Sequence, residues 1–561
     1  MNQSRRKVIQ QTGATMAGLL LAETIGSGVA IALSPFKGVT APFPGLIPLP
    51  VSIRNLASPA FSLYNGVEID PSHAGPKSAE LAGYLVEKAR ERMGLHFVTK
   101  RTAIRGHTIL LRLNVTPIHT GPHWQQIESY RLVVAPDGRS ITIIASHAHG
   151  LFNGIVTLLQ LARPTPGGAW EVPAVLIEDF PRLQWRGYML DVSRMFFDAN
   201  EVKQLIDAMA LLKLNIFHWH LTDDEGWRLP IVKYPRLTSV GAWRPAIGFG
   251  FKPSASRQFN ATGQYGGFYT RADIREVIAY AAKRHIIVVP EIEMPGHCAA
   301  AVRAYPWIAC GNNAASTPPG YPTMDPSNPR VFDFLADILG EVAEMFPGPY
   351  VHTGGDEVDY SNWQKSPACL ALIRKRQLPT GSEKYFWREN YVRPGKIDMK
   401  SMDALQGYFE DRVSKIVKSS GRQMISWHNS PQLSPPGMIA MDWHYKAPLV
   451  APAMAERRHR VIRCPAGHLY FDYPLSFTST RKVYSFNPSW PGFTPADLPW
   501  LLGAQANLWT THVPNLSAVW QHSFPRLCAA AEVFWTPQSR CNWIEFERRM
   551  IGFNIPRHHG L

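Results

Sequence analysis

The sequence predicts a (β/α)8 TIM barrel, an α/β fold, preceded by a small α+β domain, and two observations carry that expectation. From Pro181 onward strand-like runs alternate with helical periodicity, and eight strand candidates fall within about 370 of the 561 residues. The polar residues of this half gather just after those runs, the end at which barrels of this kind build their sites. The strand candidates are 184–191, 215–222, 286–293, 350–354, 423–428, 439–444, 460–472 and 501–509. Helical patterns over 201–213, 270–284, 328–346, 399–419, 449–458 and 515–533 separate most of them, and only the link between the fifth and sixth strands is short. The barrel is therefore assigned to 181–555.

Residues 51–180 read differently. Leu81, Tyr84, Leu85, Ala89 and Met93 recur at helical spacing, and a second helix is expected from about Gly150 to Leu161. Ile109–Leu113, Tyr130–Val134 and Ile141–Ile144 read as strands, with turn chemistry at Pro136-Asp137-Gly138. Before them, residues 34–50 hold five prolines and predict an extended linker.

The first 33 residues read as an address. Arg5-Arg6-Lys7 precedes a moderately apolar run from Ala14 to Leu33, and Ala30-Ile31-Ala32 offers a small-x-small cleavage pattern. Glu23 and several glycines interrupt the run, so a transmembrane anchor is not expected in the mature chain. The pattern predicts a twin-arginine signal peptide and a periplasmic or secreted protein. The chain is basic, with 58 Lys and Arg against 43 Asp and Glu, but it has no run of five or six cations and no nucleic-acid module signature. Six cysteines follow no metal-ligand spacing and allow 15 disulfide pairings.

The chemistry concentrates in Tyr350-Val-His-Thr-Gly-Gly-Asp-Glu-Val358. Side chains alternate along a strand, but two glycines break that parity, so Asp356 and Glu357 can converge on one pocket. Neighbouring carboxylates push their pKa values apart, which leaves one protonated as an acid while the other stays charged. Acids capping a following helix would look similar in isolation. Other strand ends add to the pattern: Asp191 to Arg194 after the first, His218 to Asp224 after the second, Glu291 to His297 after the third. Trp427, Trp443, Tyr470-Phe-Asp472 and Trp509-Thr-Thr511 follow the last four.

In order, Trp185-Arg-Gly-Tyr-Met-Leu-Asp-Val-Ser-Arg194, His218-Trp-His-Leu-Thr-Asp-Asp224, Gly267-Phe-Tyr-Thr270, Pro290-Glu-Ile-Glu-Met-Pro-Gly-His297 and His352-Thr-Gly-Gly-Asp-Glu357 closely resemble the family-20 glycoside hydrolases, the β-N-acetylhexosaminidases. The resemblance covers about residues 50–545, including the small first domain those enzymes carry. It implies exo-acting, retaining removal of terminal N-acetylhexosamines from a glycan or chitin-type oligosaccharide, without a cofactor or metal. The nucleophile is then the substrate's own 2-acetamido oxygen rather than a second carboxylate. By the same resemblance Glu357 is the general acid and base, Asp356 holds the acetamide N–H, and Tyr470 holds its oxygen. His297 and Asp223 match the pair that supports the acid. Arg194 and Asp472 match sugar-hydroxyl ligands, and Trp427, Trp443 and Trp509 match the aromatic wall.

Two positions depart from the family pattern. Glu293 stands where aspartate is usual, and Thr511 stands where glutamate is common; the latter predicts tolerance of GalNAc beside GlcNAc, or acceptance of a sugar substituted at the 4- or 6-position. Two other readings compete. His218-x-His220 with nearby carboxylates fits a metal-dependent barrel hydrolase, and Thr511 fits a catalytically silent carbohydrate binder. Resistance of turnover to chelation would remove the first, and turnover abolished by Glu357→Gln the second.

Overall fold

A computed structural model describes residues 43–99, 107–114, 116–245, 258–311, 322–380, 399–427, 430–444 and 450–553. The signal-peptide reading lies outside the described residues. Eight parallel strands close into a barrel: β1 (Trp185–Asp191), β2 (Ile216–His220), β3 (Ile287–Glu291), β4 (Tyr350–His352), β5 (Gln423–Ser426), β6 (Ile439–Asp442), β7 (Val461–Arg463) and β8 (Leu501–Leu508), which pairs back onto β1. Register matters here. Asp191 lies opposite His220, His220 opposite Glu291, and Glu291 opposite His352, so four polar residues end at one level of the barrel.

Around the strands run α1 (Ala199–Leu211), α2 (Arg271–Ala282), α3 (Pro329–Met345), α4 (Met399–Ser419), α5 (Val450–Glu456), α6 (Leu516–Ser523) and α7 (Arg526–Trp535). Their starts follow from local chemistry. Asp198 caps α1 and Thr270 caps α2, each with a reciprocal acid three residues on, and Asn328 with Pro329 opens α3. Among the described residues no helix is long and apolar enough to cross a membrane.

Three expectations need correction. The seventh strand, expected over 460–472, ends at Arg463, because Pro465 has no N–H to pair and a helical turn, Ala466–Leu469, follows. Tyr470 and Asp472 therefore stand beyond that turn, and Tyr470 rejoins the barrel only through a single bridge to Asn507. The helix expected over 515–533 is two helices, α6 and α7, since Pro525 interrupts the ladder between them. Nor is the described part of the proline-rich stretch, residues 43–50, a solvated linker. Leu46 and Ile47 are fully buried, and Gln160, Glu532, Thr536, Arg540 and Arg549 bond its backbone.

The first domain is a mixed sheet in the spatial order 52–55, 175–179, 130–134, 140–145, 108–113, 68–73 and 98–99, covered by helices Ser78–Met93 and Ala148–Leu161. It meets the N-terminal end of the barrel through buried ion pairs. Arg186 of β1 forks onto Glu128. Lys213 Nζ donates to Asp179 Oδ2 and to Tyr130 Oη, each at 2.9 Å, and lies 4.4 Å from the Trp535 ring centroid. Removing one partner of a buried pair strands the other charge. Asp179→Ala is thus expected to cost about 3–5 kcal/mol in urea unfolding, with Lys213→Met recovering much of it. An unchanged midpoint in the single variant would refute the assignment.

Candidate active site

Beyond β4 the chain passes Gly354 (φ +65°) and Gly355 (φ +102°) and reaches Glu357, itself at φ +48°. A non-glycine residue in the left-handed region is uncommon and marks a constrained position. Glycine is required at 354 by packing as well as by φ. A Cβ there would come 1.7 Å from Glu293 Oε2. The turn sets Asp356 and Glu357 beside His297, whose Nε2 lies 3.8 Å from Asp356 Oδ2 and 3.7 Å from Glu357 Oε2.

His297, also at positive φ, is held from behind. Its Nδ1 lies 3.1 Å from Asp223 Oδ1 and 3.2 Å from Asp224 Oδ2. Burial opposes charge on this imidazole, but Asp223 and Asp224 outweigh it and keep the pKa well above the ordinary histidine value. Asp223 is the mirror case. Burial alone would neutralise it, yet Arg194 and His297 hold its carboxyl well below the usual range. Asp223, His297 and Glu357 thus form a line from the barrel interior to its mouth.

Asp356 has a different environment. Its side chain is 13% exposed, and its buried Oδ1 has no hydrogen-bond partner among the described residues. Burial, then Glu357 and Glu291, raise its pKa to about 6 against the pull of His297. Glu293, 2% exposed, lies below, and neither of its carboxyl oxygens has a partner among the described residues. Burial and the Asp356 charge push Glu293 well above the carboxylate range, which favours the neutral acid.

Arg194 is anchored by three acids. Nη2 lies 2.7 Å from Asp223 Oδ2, Nε donates to Glu225 Oε2 at 2.9 Å, and Nη1 lies 3.4 Å from Asp191 Oδ2. Its guanidinium stands 5.1 Å from the Trp509 ring centroid. Trp509 in turn meets Trp427 and Tyr470, each at 6.0 Å between centroids. Trp443 donates its Nε1–H to the Trp427 carbonyl at 3.0 Å, which completes a wall of three tryptophans. Asp472 is half-buried. Thr511, also half-buried, follows Thr510, whose hydroxyl donates to the Asp191 carbonyl at 3.0 Å. Next to it, burial lowers the His512 pKa against the opposing charge of Asp472.

Sequence reasoning did not assign Glu225, Asp191 or the cage around Glu291. Glu291 accepts from Trp427 Nε1 and faces His218 at 3.0 Å, His352 at 2.7 Å and His220. Burial opposes charge on His220, but Glu291 and Asp223 flank both its nitrogens and raise its pKa to about 10. His218 goes the other way, lowered by burial to about 4, with its Nδ1 accepting from Gln505. His218-x-His220 therefore serves a buried carboxylate, the pattern that suggested metal ligands. The acidic run Asp223-Asp224-Glu225 was the available signal for Glu225.

Residues 183–538 match the catalytic domain of glycosyl hydrolase family 20, and residues 43–180 match domain 2 of that family. A β-hexosaminidase of Porphyromonas gingivalis is 36% identical over 439 residues, 74% of this chain and 52% of that protein. The chain thus spans about half the length of that relative. A solved exo β-N-acetylglucosaminidase from Vibrio harveyi, in complex with N-acetylglucosamine, superposes with a TM-score of 0.75 at 28% identity, over 92% of this chain and 79% of that one. The β-N-acetylhexosaminidase of Streptomyces coelicolor A3(2) gives 0.71 at 30% identity, over 92% and 96%. Both domain matches, in order and together spanning most of the sequence, place this chain in glycosyl hydrolase family 20.

Proposed function

We infer that the protein is an exo-acting, retaining β-N-acetylhexosaminidase that removes terminal GlcNAc or GalNAc from a glycan or chitin-type oligosaccharide by substrate-assisted catalysis. One observation carries the reading. Asp356 holds a buried carboxylate oxygen that has no partner among the described residues, beside Glu357 at a barrel mouth walled by tryptophan. Such an oxygen is costly to leave without a donor, and an acetamide N–H supplies one. Held there, the acetamide carbonyl can attack the anomeric carbon and close a five-membered oxazolinium ring.

In this account Glu357 protonates the departing oxygen and then deprotonates the incoming water. The Asp223–His297 pair stands behind Glu357 and steadies its carboxyl. Asp356 stabilises the charge that grows on the acetamide nitrogen, and Tyr470 donates to the acetamide oxygen. Arg194 and Asp472 bind outer hydroxyls, and the three tryptophans pack on the pyranose face and the acetamide methyl. Release of sugar from aryl β-GlcNAc and β-GalNAc substrates tests the reading, and inert protein in both assays would favour the silent binder.

Asp356 must be ionised to stabilise positive charge, so its pKa of about 6 sets an acidic limb. Below that pH the carboxyl takes up a proton and kcat/KM should fall, close to tenfold per pH unit. A profile flat down to pH 4 would exclude this role.

The address remains part of the proposal. The arginine pair at positions 5 and 6 supports export in folded form by the twin-arginine route. Arg5→Lys with Arg6→Lys is expected to leave precursor in the cytoplasm. Processed enzyme still appearing outside the cytoplasm would show that the pair is dispensable.

A further inference from the structure

Of the six cysteines, two face each other. Cys310 Sγ and Cys369 Sγ lie 3.7 Å apart, both fully buried, although the residues are 59 positions apart in sequence. The others are engaged elsewhere or packed singly: Cys298 donates to the Pro295 and Pro322 carbonyls, Cys541 to those of Thr536 and Pro537, and Cys464 and Cys528 are buried. Cys310 is fixed by its N–H to the Thr323 carbonyl at 2.8 Å, and Cys369 sits in the first turn of helix Pro367–Arg376, capped by Ser366. We propose that Cys310 and Cys369 are a disulfide-forming pair that staples the loop after β3 to the segment carrying Asp356 and Glu357.

The geometry suits that bond. A disulfide needs about 2.05 Å between sulfurs, so closure asks for about 1.7 Å of approach, within reach of small side-chain rotations. The two sulfurs are in contact, and that contact together with Ser366 lowers the pKa of Cys369 against its burial. Its thiolate attacks one sulfur of an external disulfide such as oxidised glutathione and expels a first thiolate. Cys310 then loses its proton, attacks the Cys369 sulfur and expels the second. Two protein thiols and one oxidant disulfide become one protein disulfide and two small thiols. Because both sulfurs are buried, exchange in either direction runs during folding or local opening.

A thiophilic divalent cation is the competing occupant, since Asp325 joins the two cysteines in a cluster of potential ligands within 4.8 Å. Asp325 Oδ1 lies 3.7 Å from the Cys369 sulfur, but it is committed to other donors. It already accepts from the Ser327 N–H at 2.8 Å and the Ser327 hydroxyl at 2.6 Å.

The pair packs with Val358, Tyr360 and Trp363, the residues that follow Glu357, and Trp363 Nε1 donates to the Met324 carbonyl at 2.9 Å. Closing a loop of this length restricts the unfolded chain and should raise Tm by about 2–5 °C for a protein of this size.

The test uses the full chain, incubated with oxidised or reduced glutathione and then alkylated in denaturant. After oxidation four alkylated thiols and one cross-linked Cys310–Cys369 peptide pair are expected, with six alkylated thiols after reduction. Oxidised wild type should melt higher than reduced wild type, and Cys310→Ser and Cys369→Ser should melt alike and ignore the oxidant. Comparing the two forms of the wild type keeps the test valid where a serine variant fails to fold. Six alkylated thiols after oxidation, a cross-link between other cysteines, or one equivalent of zinc protecting both sulfurs would each overturn the proposal.

Discussion

An aryl β-glucoside lacking the 2-acetamido group is expected to turn over roughly five orders of magnitude more slowly than the matching N-acetylglucosaminide. The acetamide is the nucleophile in this account. An oriented intramolecular group contributes about 7 kcal/mol or more, and each 1.36 kcal/mol is tenfold in rate. No protein carboxylate is assigned to take over. Asp356 is assigned to the acetamide nitrogen, its Oδ1 having no partner among the described residues. The comparison uses kcat/KM for the two glycosides with the same leaving group. Values within tenfold of each other would mean that a side chain attacks the sugar directly.

The second large effect separates the two acids. Glu357→Gln should lower kcat/KM about 10²–10⁴-fold for a sugar or alkyl leaving group, which needs a proton to depart. With a dinitrophenyl leaving group, which departs as a stable anion, most of that loss should vanish for cleavage. Asp356→Asn should instead be slow for every leaving group, because the charge that stabilises the acetamide is gone whatever departs. Equal losses for the two variants across the leaving-group series would show that the roles are not divided as assigned. Both residues sit on the turn after β4, where Glu357 has positive φ, and each amide variant keeps the side-chain volume while removing the charge.

Much of this site was legible because barrel topology converts sequence position into place. A residue just past a strand end must stand at the same mouth as its counterparts, and Arg194, Asp223, His297, Asp356, Trp427 and Trp509 do so. Legibility failed where the answer depended on non-local contacts. Pro465 ends β7 early, so Tyr470 and Asp472 arrive by way of a helical turn that hydrophobic patterning cannot distinguish from more strand. Residues 43–50 look like a tether by composition, yet they are buried by partners hundreds of positions away. The acids around Arg194 and the histidines around Glu291 are set by register between strands, which a single sequence does not display. The pairing of Cys310 with Cys369 is of the same kind.

The central claim, that the acetamide oxygen forms the new bond to carbon, has one most direct test. It is kcat/KM measured across a series of otherwise identical aryl glycosides bearing N-acetyl, N-fluoroacetyl, N-difluoroacetyl and N-trifluoroacetyl groups. Each fluorine withdraws electron density from the carbonyl oxygen while changing the shape of the group little. Nucleophilic participation predicts a steep and continuous fall across the series, spanning several orders of magnitude by the trifluoroacetyl member. A rate that stays level across all four would contradict the account.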